Sequence, residues 1–548
     1  MAWVFGVGYH YKQELSAKIE CVYKNDCRSC HPRPSRFILI HCKLSTGLSC
    51  SNSNARLLFH NYSRVNRLQV NIKSGKSPRS ELMAPTLPTV TLDQTLSDLY
   101  SLDGGNGHEV GFVMAVPPPG TQVAPSFPKP VKYAYQSPRY PKLDNDIYAR
   151  ICLGSAAQYH AFQTGPIPLY LFDVEPPKSG FFAKLTAVPG HREDAERVYS
   201  QLDAAQRPDV RFISDPSDIK RAGGTRLFSY TPLDLLEGRT LTVDPDVHYR
   251  LLSKRTLAFA PLTSPRSDVI DSQLSYEKVK DPRLVAAEVD RMLAPIQQRD
   301  LPFVVKVPQA VGGQGVFVLK DEADRADCLD GLQEETASMV RSVNAANEHL
   351  KPACLILQDM LPGVPRGLNL FVTKTGRSVW VSCTEPILDE RNYWSGAFVD
   401  FTRQKHWEEY YGETARQISK YVFDQGYYGP MGADIMLDEN NRQHVIDLNV
   451  RLTGSYILGL MRNHFTSRGL NCASLLTPLA VRGDRNAFEA QFPKELEEGR
   501  LVITGWTHGR GGPGGIFRYS IGSLVVGGED QAAMLATMDT VNAIRIRK

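Results

Sequence analysis

The chain has 548 residues, of which 42% are hydrophobic and 22% charged, and its formal net charge is +4. That length exceeds what one hydrophobic core can serve, so several domains are expected. The charge is too small for an electrostatic footprint on nucleic acid, and no run of about 18 or more apolar residues reads as a membrane span, so no nucleic-acid or membrane partner is expected.

The first segment, Met1 to Leu82, holds 13 Lys or Arg against 4 Asp or Glu. It also carries five of the ten cysteines: Cys21, Cys27, Cys30, Cys42 and Cys50. Cys27-Arg28-Ser29-Cys30-His31 spells the C-x-x-C-H pattern of c-type haem attachment, and His41 with Cys42 adds ligands of the zinc type. Such short patterns are weak without an ordered framework around them, and Glu14, Glu20 and Asp26 sit badly in a basic transit peptide. Composition changes at Met83-Ala84-Pro85. Residues 1–82 are therefore expected to be a disordered extension, or upstream translation that the working protein lacks. Cys152, Cys328, Cys354, Cys383 and Cys472 are scattered singly, as reduced thiols are, which points to the cytoplasm.

Residues 83–249 read as an N-terminal α/β domain. Val110–Val116, Leu169–Val174, Val210–Ser214 and Arg226–Tyr230 are predicted as buried strands, with helices at Ile147–Phe162 and Arg192–Ala205 between them. That alternation predicts a mainly parallel sheet, interrupted at Pro117-Pro118-Pro119-Gly120. Residues 250–360 form a second, smaller unit, with helical patterns at Leu284–Leu293 and Asp327–Asn347; Pro295 is expected to end or kink the first. Residues 361–548 form the third, with strands at Leu368–Thr373 and Ser378–Cys383, a helix at Glu413–Asp424 and a hairpin at Gly432–Asn449.

In the second unit, Pro302-Phe303-Val304-Val305-Lys306-Val307 places one lysine in a β-branched run. The loop Gln309-Ala310-Val311-Gly312-Gly313-Gln314-Gly315 follows, then the strand Val316-Phe317-Val318-Leu319. Gly312, Gly313 and Gly315 let the backbone bend closely over an anion and present N–H groups to it, with Lys306 adding a mobile positive charge. The bland alternative is a glycine-rich hairpin with a solvated lysine.

The most informative segment is Gly432-Ala433-Asp434-Ile435-Met436-Leu437-Asp438, continuing through Glu439-Asn440-Asn441-Arg442 to His444-Val445-Ile446-Asp447-Leu448-Asn449-Val450-Arg451. With Glu439–Arg442 as the loop, Asp434 lies directly across from Asp447. Two like charges facing each other between apolar strands are unfavourable unless a cation sits between them. Asn449 falls on the same face and adds a neutral oxygen, and Arg451 follows, within reach of a phosphate. Such an oxygen-only set suits Mg²⁺. An exposed hairpin with solvated acids is the competing interpretation.

Other phosphate motifs lack parts. Gly313-Gln314-Gly315 is not followed by Gly-Lys-Ser/Thr, as a P-loop requires. Gly509-Arg510-Gly511-Gly512-Pro513-Gly514 fits G-x-G-x-x-G in form but leads into a strand-like Ile516–Ile521, where a dinucleotide turn opens a helix. No kinase, serine-hydrolase or zinc-protease signature is complete.

Together the two segments resemble the ATP-grasp superfamily, over roughly Leu251 to Asn463. The resemblance implies an α/β fold in which a small central lobe and a larger C-terminal lobe grip ATP, behind the N-terminal domain. Asp447-Leu448-Asn449-Val450-Arg451 is similar to the family's E-x-N-x-R, with Asp434 as the acid on the neighbouring strand. By that resemblance Asp434, Asp447 and Asn449 hold two Mg²⁺ ions, with Mn²⁺ as an alternative, and Arg451 contacts the transferring phosphate. Lys306 and Lys254 match the family's two lysines. Gln358, Asp359 and Leu361, in Leu355-Ile356-Leu357-Gln358-Asp359-Met360-Leu361-Pro362-Gly363, resemble the hinge that holds adenine, largely through the backbone. A ribose-binding Glu is not evident after the hinge, where only Arg366 and Asn369 stand.

The implied activity is that of an ATP-dependent ligase. A substrate carboxylate takes the γ-phosphoryl group, giving an acyl phosphate and ADP, and an amine or amino acid displaces phosphate. Small-molecule acid and amine partners follow, and a homodimer is compatible. The alternatives are a biotin-dependent carboxylase, for which no Met-Lys-Met carrier pattern is present, and a non-catalytic ATP-binding regulator. The segment Glu385–Phe401 is expected to help shape the substrate pocket, with Arg391 as a carboxylate clamp or a surface ion-pair residue.

Overall fold

The computed structural model describes residues 87–114, 131–136, 154, 156–173, 190–213, 216–219, 225–310, 313–388, 394–511 and 517–546. The C-x-x-C-H pattern, the loop 117–120, Cys152, Gly312 and Arg391 lie outside the described residues.

Val110–Met114 (β1), Pro168–Phe172 (β2), Asp209–Ile213 (β3) and Arg226–Ser229 (β4) form a parallel sheet in the order β3-β2-β1-β4, as the alternation predicts. β1 is buried along its whole length, as befits a strand covered on both faces. β3 departs from expectation: it is an edge strand with Asp209 and Arg211 in solvent, ion-paired to each other at 2.6 Å. Of the expected helices, His191–Tyr199 is present, and residues 154 and 156–161 are the described helical part of the other.

Ser267–Asp271 (β5), Phe303–Lys306 (β6), Val316–Leu319 (β7) and Cys354–Asp359 (β8) form an antiparallel sheet in the order β5-β8-β6-β7. Helices Pro282–Gln298 and Glu322–Ser342 share a core with it through Val289, Leu293, Phe303, Val305 and Leu332. An aspartate starts each helix: Asp281 accepts from Arg283 N, with Pro282 in the first turn, and Asp321 accepts from Asp324 N. Pro295 does not end its helix, which runs on to Gln298 and closes with Arg299 N donating to Pro295 O at 3.1 Å; the proline forgoes the one bond its N–H would have made to the preceding turn.

The largest sheet is antiparallel and eight-stranded. It comprises Arg366–Val372 (β9), Ser378–Leu388 (β10), Trp394–Asp400 (β11), Gly429–Leu437 (β12), Gln443–Asn449 (β13), Cys472–Arg482 (β14), Leu501–Gly511 (β15) and Phe517–Gly528 (β16). Its order is β13-β12-β9-β10-β11-β14-β16-β15. Helix Gln404–Asp424 buries Tyr411, Ala415, Ile418 and Val422 in one core with Leu368, Leu370 and Ile435, which stiffens the sheet beneath the β12–β13 hairpin. Gly509, Arg510 and Gly511 end β15 and Phe517 opens β16, where a dinucleotide turn would open a helix; residues 512–514 lie outside the described residues. Among the described residues no helix is long and apolar enough to cross a membrane, Cys354, Cys383 and Cys472 are free and buried, and Cys328 is buried.

Candidate active site

The β12–β13 hairpin pairs Asp434 with Asp447, as expected, but by a different route. The loop is five residues, 438–442, not four. Asp438 Oδ1 accepts from Asn440 N at 2.9 Å and from Arg442 N at 2.8 Å, and Asn441 takes a φ of 59°. β13 then carries one extra residue: Ile435 pairs with Val445 and Asp434 with Asp447, leaving Ile446 as a bulge. The longer loop and the bulge shift the register in opposite senses and cancel.

Two lysines from elsewhere in the chain reach this hairpin. Lys306, the last residue of β6, donates from Nζ to the Ile446 carbonyl oxygen at 2.5 Å. Lys254, the first residue of helix Lys254–Ala258, lies with Nζ 3.3 Å from Asp447 Oδ2 and donates to Ala310 O at 3.2 Å. Both lysines are buried. Two carboxylates about 5 Å apart repel by about 3 kcal/mol at an effective dielectric near 20, so the pair needs compensation, and the two ammonium groups provide part of it. Burial pushes Lys306 down to about 8, against the pull of Asp447 and Asp434. Burial, then the Asp447 charge, pushes Asp434 up to about 7, against both lysines and Arg451.

The donor set fits a hard divalent cation. Asp447 Oδ1 is buried and has no hydrogen-bond partner, although Oδ2 faces Lys254. Asn449 donates from Nδ2 to Asp434 Oδ2 at 3.3 Å, and its Oδ1, which accepts from Arg451 Nη2 at 3.0 Å, keeps a second lone pair. Among the described residues no group of three or more His, Cys, Asp or Glu could hold a metal. A site of two carboxylates and an amide leaves coordination positions to water and substrate oxygens, which is the habit of Mg²⁺.

The strand ends at Asn449, where the chain turns: Arg451 N donates back to Asn449 O at 2.7 Å. The Arg451 side chain nevertheless returns to the same face. It is buried and forms one side of a recess with Tyr135, Thr231, Lys254, Gln309 and Asn449.

Of the glycine loop, Gly313 has a φ of +76°, and a Cβ at Gly315 would stand 2.2 Å from Val307 Cγ2 and 2.5 Å from Ala310 Cβ, so both positions demand glycine. Gln309 N donates to Gln136 Oε1 at 2.8 Å and its side chain to Tyr249 O at 2.7 Å, pinning the start of the loop. Gln358 is buried on β8, donating to Ser267 Oγ at 3.1 Å. Asp359 ends β8 in solvent, its carboxylate 2.6 Å from Arg299 Nη2, and Leu361 follows outside the strand. Asn369 is buried within β9. It donates to Ser382 Oγ at 3.0 Å and accepts from Thr453 Oγ1 at 2.5 Å, bracing the loop behind Arg451. Trp394 of β11 lies against that loop too, since a Cβ on Gly454 would meet its Cη2 at 2.4 Å.

Three contributors escaped sequence reasoning. The Ile446 carbonyl, Tyr230, whose hydroxyl accepts from Arg451 Nη1 at 2.6 Å, and the Asn369–Thr453 pair depend on a bulge or on contacts between distant segments, which local patterning does not carry. Gly432 was a readable signal for the last of these: a Cβ there would stand 2.3 Å from Thr453 Cγ2.

Residues 272–455 match a family model described as an ATP-grasp domain. Among solved structures, the chain is similar to the ADP complex of an N5-carboxyaminoimidazole ribonucleotide synthetase, with 11% identity, 84% of this chain and 98% of that chain covered, and a TM-score of 0.42. It is also similar to the phosphoribosylamine–glycine ligase of Thermotoga maritima, at 12% identity, 79% and 96% coverage and a TM-score of 0.41. The L-amino acid ligase of Bacillus licheniformis matches at 12% identity, 65% and 95% coverage and a TM-score of 0.39.

Proposed function

We propose that this chain, whose residues 272–455 match an ATP-grasp domain, is an ATP-dependent ligase joining a carboxylic acid to an amine. The observation that carries the reading is the meeting of Lys254 and Lys306 with the Asp434–Asp447 pair beside Arg451. A non-catalytic nucleotide binder has no need of two half-buried facing carboxylates, whose repulsion must be offset.

In the first step a substrate carboxylate oxygen attacks the γ-phosphorus of ATP. The new O–P bond forms as the bond to the β–γ bridging oxygen breaks, and ADP leaves. In the second, an amine attacks the acyl carbon, inorganic phosphate departs with the C–O electron pair, and the amine loses a proton to give an amide. Phosphoryl transfer asks the protein mainly for position and charge neutralisation. Lys254 and Arg451 supply positive groups to one recess, Lys306 supplies a third against the same hairpin, and the glycine loop at Gly313 and Gly315 would supply backbone N–H groups. Asp434, Asp447 and Asn449 would hold Mg²⁺, as two ions, with Mn²⁺ as a substitute. When bound, Mg²⁺ neutralises phosphate oxygens and polarises the transferring group. Gln358, Asp359 and Leu361 would hold adenine through their backbone groups. Residues 83–249, 250–360 and 361–548 are taken as the N-terminal domain, the central lobe and the C-terminal lobe.

The test is ADP release from Mg·ATP across a panel of carboxylic acids with and without amines, with the product weighed by mass spectrometry. Acid-dependent release with an amide product is expected. Release that requires bicarbonate alone would instead favour a carboxylase.

A further inference from the structure

Arg451 is held in place by a residue 221 positions earlier in the chain. Tyr230 directly follows β4, at the carboxyl end of the parallel sheet. Strand order reverses there, because β2 and β4 lie on opposite sides of β1, and crevices of parallel sheets open at such a point. Arg451 Nη1 donates to Tyr230 Oη at 2.6 Å, and Cζ lies 4.9 Å from the tyrosine ring centroid. Both side chains are buried.

The donor count of the guanidinium gives this contact its meaning. Of five N–H groups, Nη1 spends one on Tyr230 Oη and one on Leu452 O at 2.9 Å, and Nη2 spends one on Asn449 Oδ1 at 3.0 Å. Two remain for a ligand. Because the group is planar and its N–H directions are fixed, those three bonds set where the remaining two point. Behind Tyr230 stands His160, ring centroids 4.6 Å apart and wholly enclosed; burial, and then the Arg451 charge, holds it neutral, so His160 adds no positive charge against Arg451.

We propose that Tyr230 is a positioning residue for phosphoryl transfer: its hydroxyl oxygen fixes the Arg451 plane so that the two remaining N–H groups meet the phosphoryl group in flight. This rests on the ligase reading of the site. Removing Oη leaves a buried charged donor without an acceptor, and a hydrogen bond to a charged group is worth about tenfold or somewhat more.

The experiment is equilibrium titration of the full chain with Mg·ADP alone and with Mg·ADP plus fluoroaluminate, a mimic of the transferring phosphoryl group. Wild type is expected to bind Mg·ADP more tightly when fluoroaluminate is present, and Arg451→Ala to lose that enhancement. Tyr230→Phe should keep wild-type affinity for Mg·ADP alone while losing about tenfold of the enhancement. The double variant should be no worse than Arg451→Ala, since both act through one group. Full enhancement in Tyr230→Phe, additive losses in the double variant, or a matching loss for Mg·ADP alone would each overturn the positioning role and leave the ligase reading standing. An undiminished enhancement in Arg451→Ala, or none in wild type, would overturn the ligase reading and the proposal with it.

Discussion

Lys306 donates its ammonium hydrogen to the carbonyl oxygen of Ile446, the one extra residue in β13, across 140 positions of sequence and between two different sheets. The bulge turns that carbonyl out of the β12–β13 ladder, and the lysine takes it up. Lys306→Met keeps most of the apolar stem and removes the charge. Turnover is expected to fall by about 10²–10³, the usual loss for one charge-stabilising donor, in steady-state ADP release. Wild-type turnover in Lys306→Met would show that the ammonium group is not part of the site.

Gly432→Ala tests the brace behind Arg451. The added Cβ would stand 2.3 Å from Thr453 Cγ2 and 3.2 Å from Leu368 O, and Thr453 is tied to Asn369 at 2.5 Å. Overpacking of this kind costs about 1–3 kcal/mol. Denaturant unfolding and ADP release should decline together, because the displaced loop carries Arg451. An alanine variant of unchanged stability would mean that the loop yields freely.

The hinge acid is expected to be dispensable as a side chain. Asp359 is committed to Arg299 at 2.6 Å on the surface, and exposed pairs contribute about 0–1 kcal/mol. Asp359→Asn should therefore alter the KM for ATP by less than about twofold, as a backbone contact to adenine would allow. A rise of about tenfold or more would place the carboxylate itself in the nucleotide site.

How much of this was legible from sequence differs by residue. The Asp434–Asp447 pairing was readable because strand alternation constrains which side chains share a face. Yet a four-residue loop gave the right partner only because the fifth loop residue is offset by the bulge at Ile446. Lys254 is less legible, since nothing local to Leu252-Ser253-Lys254 reports that Asp447 closes over it. The parallel order of β1 to β4 followed from alternating strands and helices, whereas the exposure of β3 did not, because edge position is decided by the whole sheet. Tyr230 and Asn369 act over 221 and 84 positions, distances at which a single sequence carries no pattern.

Acid should act on the fold through buried neutral histidine. Burial pushes His248 down to about 4, and its Nε2 lies 2.8 Å from Val450 O, next to Arg451. An unfolded histidine titrates near 6.5. Between about pH 4 and 6.5 the unfolded chain therefore binds the extra proton, and this stability contribution rises with pH and is lost on acidification. His248→Gln removes the titration, so the stability gap between wild type and variant should narrow as pH falls through that window. A pH-independent gap in thermal or denaturant unfolding would contradict a neutral buried His248.

The central claim is tested most directly at Asp447, which faces Asp434 and Lys254 and keeps one buried oxygen unpartnered. The measurement is acid-dependent ADP release from Mg·ATP by wild type and Asp447→Ala, with circular dichroism and melting to verify the fold. Wild-type release should depend on both Mg²⁺ and a carboxylic acid, and Asp447→Ala should lose at least about 10² of it with its fold intact. A folded Asp447→Ala variant that turns over like wild type would contradict the assignment of this hairpin as the metal and phosphoryl-transfer centre.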